Sequence, residues 1–392
     1  MRRTPGMPGA AARLVLIVTS PLLFSPVTLP APEGPGLELL NRAIVPPMCQ
    51  YAVDAEDGMP TDWHLVHTGA MAAGGFGLVT VEATGVEARG RISPRDLGLW
   101  DDAQVPAHAR LTAFAHTQGA AIAVQLGHAG GKASTYPWLP GASEGTVPAA
   151  EGGWPTVSAT AQPTLPELDA PAALDAAGLD EVVEAFASAA RRADAAGYDA
   201  VQIHAAHGYL LHQFLSPITN TRTDGYGGDE AGRTRLLLRV VDAVRAAWPA
   251  HKPLGIRLSA TDWTEGEDGT VWDARATARL ARTLVDEHGV GWIDVSSGGL
   301  AGGRIPVGPG YQVPLAQAVT EALAGTPAVV SAVGLIEEAA QAETILATGQ
   351  AHAVSIGRAA LRDPHWAASA ASTLGVPAKA IHAAPQYWRA RF

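Results

Sequence analysis

Eight short runs of aliphatic and β-branched residues, set apart by longer alanine-rich stretches, limit what this chain can fold into more than any other feature. They are Ala43–Cys49, Gly77–Ala83, Ala120–Leu126, Asp199–His204, Pro253–Ser259, Trp292–Ser297, Ala328–Val333 and Ala353–Gly357. Runs of this length suit buried strands, and the stretches between them carry the spacing of amphipathic helices. The clearest helix is predicted over Leu179–Ala196, with Val183, Phe186, Ala190 and Ala193 as its buried stripe. Asp180 and Glu181 suit its positive end, Arg191 and Arg192 its negative end, and Gly197 can close it. Strands alternating with helices pack as a parallel sheet. Eight such units predict one α/β domain, a (β/α)8 TIM barrel over residues 21–392. A doubly wound sheet with a second domain is the alternative. It fits less well, because no Gly-x-Gly-x-x-Gly follows a strand and Gly74-Gly75-Phe76-Gly77 precedes one.

Residues 1–20 stand apart. Arg2, Arg3 and Arg13 precede the short apolar run Leu14–Val18, but Pro21 and Pro26 break the chain soon after it and no small-residue cleavage site is evident. A disordered extension, or a start assigned too far upstream, is expected rather than a secretion signal. No run is long and apolar enough to span a membrane. The net charge is −11, from 27 basic and 38 acidic residues with no basic stripe among aromatics, so no nucleic-acid partner is expected. A lone cysteine, Cys49, excludes an internal disulfide framework or an iron–sulfur cluster held by this chain, and fits a cytoplasmic location. Residues Ser134–Pro171 are rich in Pro, Gly, Ala and Thr and too long for a plain connection after the third strand. They are expected to form a loop over the barrel mouth, anchored or lined by Trp138 and Trp154.

In a parallel barrel, chemistry belongs at the C-terminal ends of the strands. Asp199-Ala200-Val201-Gln202-Ile203 runs straight into His204-Ala205-Ala206-His207-Gly208-Tyr209. Period-two alternation puts Val201 and Ile203 on one face and Gln202 and His204 on the other. A metal at the two histidines would need a third ligand, and only His212 and Asp199 are near in sequence, so no metal is expected. Two neutral imidazoles gripping one substrate oxygen would use both at once, with Tyr209 beside them as a proton donor. Two loop histidines with satisfied backbone contacts are the alternative.

Parity repeats the pattern elsewhere. Leu254, Ile256 and Leu258 share a face, so Arg257 points inward, towards either an anionic ligand or a carboxylate such as Asp294. Gln125 stands likewise among Ile122, Val124 and Leu126. The last two strands end in Ser331-Ala332-Val333-Gly334 and Ser355-Ile356-Gly357-Arg358. Backbone amides at Gly334 and Gly357, with the charge of Arg358, suit a phosphate, which this fold commonly holds after strands seven and eight. Cys49 ends the first strand and has nothing beside it in sequence to activate it as a nucleophile.

These residues lie in an order that resembles the old yellow enzymes, flavin-dependent ene-reductases, and their bacterial branch with a cysteine on the first strand. The resemblance runs from about Leu22 onward. Its segments are Asn41-Arg42, Pro47-Met48-Cys49-Gln50-Tyr51, Gly90-Arg91-Ile92-Ser93, Gln125-Leu126-Gly127-His128-Ala129-Gly130, the histidine hexapeptide with Leu210, Leu215-Ser216-Pro217, Arg222-Thr223-Asp224-Gly225-Tyr226-Gly227-Gly228, Ile356-Gly357-Arg358 and Leu361-Arg362-Asp363-Pro364. It implies FMN over the mouth of the barrel, contacted by Pro46, Pro47, Met48, Cys49, Ala83, Gln125, Arg257, Gly357 and Arg358. It implies NADPH or NADH as reductant and activated alkenes as substrates. Tyr51, His204 and His207 would bind the substrate carbonyl, Tyr209 would donate the proton, and Cys49 would tune the flavin. The C-terminal Gln386-Tyr387-Trp388-Arg389 resembles a tail that reaches a neighbouring subunit, which implies a homodimer or homotetramer with Arg389 as a finger. Three positions depart from the family pattern: Pro46, Gly131 for the usual arginine, and Gly232 for the usual asparagine. A flavin-free lyase or isomerase of a sugar phosphate would explain the phosphate site but not Arg257, Gln125 and the histidines together. A flavoprotein that only stores FMN would explain the flavin contacts without turnover. A dienoyl-CoA reductase type would need cluster cysteines that this chain lacks.

Overall fold

The computed structural model describes residues 20–266, 269–377, 381 and 384–390. Of the predicted extension over residues 1–20, residues 1–19 lie outside the described residues.

The eight runs form one closed parallel barrel, as their alternation with helices predicts. Its strands are β1 (Ala43–Val45), β2 (Leu78–Gly85), β3 (Ala121–Gly127), β4 (Ala200–Ala205), β5 (Leu254–Ser259), β6 (Trp292–Ser296), β7 (Val329–Val333) and β8 (Ala353–Ser355). Each pairs with its sequence neighbour, and β8 pairs with β1 through Val354↔Ala43 and Ser355↔Ile44. β1 is shorter than predicted. Pro46 and Pro47 have no N–H for the ladder, so Cys49 lies in the segment after β1 rather than on it. β2 carries a register shift between Val81 and Ala83, a bulge that turns the end of the strand.

The helix Ala176–Ala195 starts three residues before its predicted position because Asp175 caps it, accepting from the Gly178 N–H at 2.8 Å. Val182, not Val183, joins Phe186, Ala190 and Ala193 in its buried stripe. Gly197 follows with φ +87°, a left-handed turn that glycine adopts without a Cβ clash.

The interior has two layers. At the N-terminal ends of the strands Ile44, Leu78, Ala123, Ala200, Trp292, Val329 and Ala353 form an apolar plug. The antiparallel hairpin Val27–Leu29/Leu37–Leu39 closes it with Leu29 and Leu39. Trp292 fills the space that Gly255 leaves: a Cβ there would sit 2.4 Å from the indole. Towards the C-terminal ends the inward residues turn polar: Thr80, Gln125, Gln202, His204, Arg257, Asp294, Ser331 and Ser355 are all buried. The outward aliphatics Val201, Ile203, Ile256 and Leu258 pack against the helices. A barrel that buries so many polar groups at one end must satisfy them or use them.

Candidate active site

Strand register builds the site. β4 and β5 align His204 with Arg257, and β5 and β6 align Arg257 with Asp294. Arg257 Nε lies 2.9 Å from Asp294 Oδ2, and the Ser331 and Ser355 hydroxyls donate to Asp294 Oδ1 at 2.6 and 3.0 Å. Arg257 is thus paired with the carboxylate of Asp294, and it also lines the mouth cavity. That cavity has a volume of about 210 Å³ and is lined by Pro46, Pro47, Met48, Arg257, Gly334, Gly357 and Arg358 among others. The prolines of the first strand's end and the turns after β7 and β8 meet there.

Gln125 faces inward but spends its amide on Gln202, donating to Gln202 Oε1 at 2.7 Å. The amide left without a partner is Gln202 Nε2, fully buried. Parity places Gln202 beside His204, so the signal for it was present in the sequence.

Around the hexapeptide the rings of His204 and Tyr209 stand edge to face with centroids 4.9 Å apart, and those of His204 and His207 likewise at 5.2 Å. His204 Nδ1 accepts from the Ala206 N–H at 3.3 Å, which leaves its other nitrogen protonated. His207 Nε2 lies 2.7 Å from Ser296 Oγ. Burial, and secondarily the charge of Arg257, hold both imidazoles well below their ordinary range, so both are neutral. Burial also pushes the Tyr209 phenol well above its ordinary value.

His207 adopts a left-handed φ of +59°, followed by Gly208 at +71°. This turn is fixed from four sides. The His207 N–H donates to Ser259 Oγ at 2.9 Å, and Gly208 N–H donates to His212 Nδ1 at 2.8 Å. His212 is itself paired with Asp262 at 2.9 Å. Lys132 Nζ donates to the carbonyls of His207 and Gly299, both at 2.9 Å. Any Cβ on Gly299 would fall 2.1 Å from the His207 carbonyl carbon. Ser259, Ser296 and Lys132 were missed from sequence, although both serines end their strands on the inward face.

A second cavity, of about 10 Å³, lies beside His204 and Tyr209. Ala83, Gly90, Asp96, His128, His204 and Tyr209 line it. Cys49 and Tyr51 follow β1 nearby. Burial and then the Asp96 and Glu82 carboxylates push the Cys49 thiol up, so it carries no thiolate. Tyr51 is raised for the same reasons and sits at φ +51°. Arg389 lies in the 3-10 segment Pro385–Ala390 and lines neither cavity.

Two departures find a reason in packing. A Cβ on Gly131 would lie 2.3 Å from Thr164 Oγ1, so the loop over the mouth occupies the place of an arginine side chain. Gly232 backs onto the Gly227 carbonyl, 2.1 Å from where its Cβ would be. In that loop Trp154 anchors as expected, donating to the Arg89 carbonyl at 2.9 Å, whereas Trp138 is 90% exposed and neither anchors nor lines a pocket.

Among the described residues no three His, Cys, Asp or Glu side chains converge to hold a metal. No helix among them is long and apolar enough to cross a membrane. The model of the NADH:flavin oxidoreductase / NADH oxidase family matches residues 22–375. The chain belongs to this family, that of the old yellow enzymes. It is 43% identical over 372 residues to an NADH:flavin oxidoreductase of Gibberella zeae, covering 91% of this chain and 87% of that protein. It is 41% identical over 369 residues to an NADPH dehydrogenase of Geobacillus thermodenitrificans, covering 94% and 99%. Morphinone reductase superposes with a TM-score of 0.73 at 26% identity, covering 91% of this chain and 90% of its own. The chain is thus an FMN-dependent NAD(P)H oxidoreductase of the old yellow enzyme type.

The site suits that cofactor. It joins two guanidinium groups to two glycine turns, and the barrel interior keeps an unpartnered buried amide at Gln202.

Proposed function

We propose that this oxidoreductase reduces the C=C bond of α,β-unsaturated carbonyl compounds. The observation that carries the reading is the pair of neutral, buried imidazoles of His204 and His207 beside the Tyr209 ring, next to a cavity with the family's flavin residues. FMN held in the mouth cavity would supply the redox chemistry, hydride transfer between NAD(P)H and the alkene.

Pro46, Pro47, Met48, Cys49, Ala83, Gln125, Arg257, Gly334, Gly357 and Arg358 hold the cofactor. Gly334, Gly357 and Arg358 take its phosphate, and Arg257 stabilises negative charge at the pyrimidine end. Gln202, which holds the Gln125 amide in place, joins this set. Cys49 acts on the flavin edge as a thiol, not as a nucleophile.

His204, His207 and Tyr51 bind the substrate carbonyl. A neutral imidazole still has one N–H to donate. For His204 it is at Nε2; for His207 it is at Nδ1 when the Ser296 hydroxyl turns from Gln312 Oε1, 3.3 Å away, to donate to Nε2 across their 2.7 Å contact. Two such donors stabilise an enolate oxygen by roughly 3–4 kcal/mol each when buried. Tyr209 gives its Oη proton to the α-carbon from the opposite side. Arg389 reaches the substrate site of a neighbouring subunit in a homodimer or homotetramer. The protein works in the cytoplasm as a single barrel domain over residues 21–392.

The test separates the two half-reactions. The double variant His204→Ala/His207→Ala should still be reduced by NADPH and lose reoxidation by 2-cyclohexen-1-one by about 10²–10³-fold. Equal loss of both half-reactions contradicts the assigned role.

A further inference from the structure

The second cavity holds a carboxyl group that the proposed reaction does not use. Asp96 lies in the loop after β2 and is 1% exposed. Its Oδ2 accepts from the Ile92 and Ser93 N–H groups at 2.8 and 3.0 Å. Its Oδ1 is buried and has no partner in the chain. Asp96 lines the same cavity as Tyr209 and His204, which has room for about one water.

A buried carboxylate oxygen without a donor is costly, whereas a carboxylic O–H facing a water is not. The surroundings favour the acid form. Glu82 is already committed, with Oε1 3.0 Å from His64 Nε2 and Oε2 accepting from the Gln50 N–H at 2.7 Å. A second negative charge beside it is disfavoured. Tyr51, Cys49 and Tyr209 surround it as neutral acids, each kept protonated chiefly by its own burial. His128 and His204 line the cavity, and Arg91 is the cation that opposes the trend.

We infer that Asp96, in its acid form, is the proton reservoir that recharges Tyr209. The inference rests on Tyr209 as the donor to substrate. Once Tyr209 Oη has given its proton to the α-carbon, the Asp96 Oδ1 proton passes through the cavity water to the phenolate. Asp96 is then reprotonated from solvent. No electrons move and one proton is consumed per alkene. Burial and Glu82 push the Asp96 carboxyl up to about 8 despite the two backbone donors, which keeps it charged with a proton at neutral pH. Asp96 acts through Tyr209, so it is a positioning residue for the proton and not a group that touches substrate.

Asp96→Asn separates this role from a structural one, because the asparagine carbonyl can keep both backbone contacts while its amide carries no transferable proton. In the wild type an infrared difference spectrum between about pH 6 and pH 9 should show a protonated carboxyl band that Asp96→Asn lacks. Enone-driven reoxidation of the wild type should fall as pH rises through about 8. Asp96→Asn should lose that limb and be slower than wild type by about tenfold or more at pH 7, with reoxidation slowed more than NADPH-driven reduction. An unchanged rate and profile in Asp96→Asn, or equal slowing of both half-reactions, overturns the relay. Tyr209→Phe tests the reading beneath it: if that variant is reoxidised at the wild-type rate, Tyr209 is not the donor and the relay falls with it.

Discussion

Asp294→Ala is the most informative single change to the barrel interior. Asp294 and Arg257 are 1% and 6% exposed, and their contact is 2.9 Å. Removing one partner of such a pair leaves an uncompensated buried charge, at about 3–5 kcal/mol. The Ser331 and Ser355 hydroxyls lose their acceptor as well, at about 1 kcal/mol together once they turn to other partners. The total, roughly 4–6 kcal/mol, is a large part of the 5–15 kcal/mol that typically holds a folded protein. Equilibrium urea unfolding of flavin-free protein, followed by tryptophan fluorescence, reads this directly. Arg257→Met/Asp294→Ala removes the orphaned charge and should recover about 3 kcal/mol of the loss. Titration with FMN should separate the same variants: the double variant stays weak in flavin binding although its stability returns. A loss below about 1 kcal/mol in Asp294→Ala, or a double variant no more stable than the single, would refute a buried pair that poises Arg257 over the cavity.

Other expected outcomes rest on the same geometry. Gly299→Ala should cost about 2–4 kcal/mol in urea unfolding and at least tenfold in enone reduction, since its Cβ would meet the His207 backbone at φ +107°. Gly131→Arg should destabilise by about 1–3 kcal/mol, because the loop at Thr164 and Pro171 must move; an unchanged melting temperature contradicts that packing. Burial lowers the Lys132 ammonium to about 8 from 10.5. Between those values the unfolded chain binds the extra proton, so stability should rise with pH across that window, and Lys132→Met should lack the rise. Arg389→Ala should raise KM for the enone; unchanged steady-state constants contradict a finger across subunits.

The barrel was legible because two periods agree. β-branched runs of the right length alternate with helical stretches, and strand parity alone pointed Arg257, Gln125 and His204 inward. The boundaries that failed did so through local chemistry. Two prolines ended β1 early, and Asp175 started the helix Ala176–Ala195 three residues sooner. Within the site, residues that end a strand on its inward face could be read, as His204 could. Groups that come from loops could not. Lys132 reaches the His207 turn across 75 residues, and Asp96 enters the second cavity from a connection with no periodicity. Those contacts depend on how the βα loops fold over one another, which neither parity nor spacing encodes. The same limit applies to Trp138, expected to anchor the loop or line a pocket but exposed to solvent instead.

The central claim is that a flavin in this barrel delivers its electrons to an activated alkene under the His204/His207 clamp. Anaerobic stopped-flow absorbance of the FMN-loaded protein tests it. NADPH should bleach the flavin band, and 2-cyclohexen-1-one should restore it with one cyclohexanone formed per flavin. A flavin that stays reduced under the enone, and regains its colour only when air is admitted, would contradict the claim.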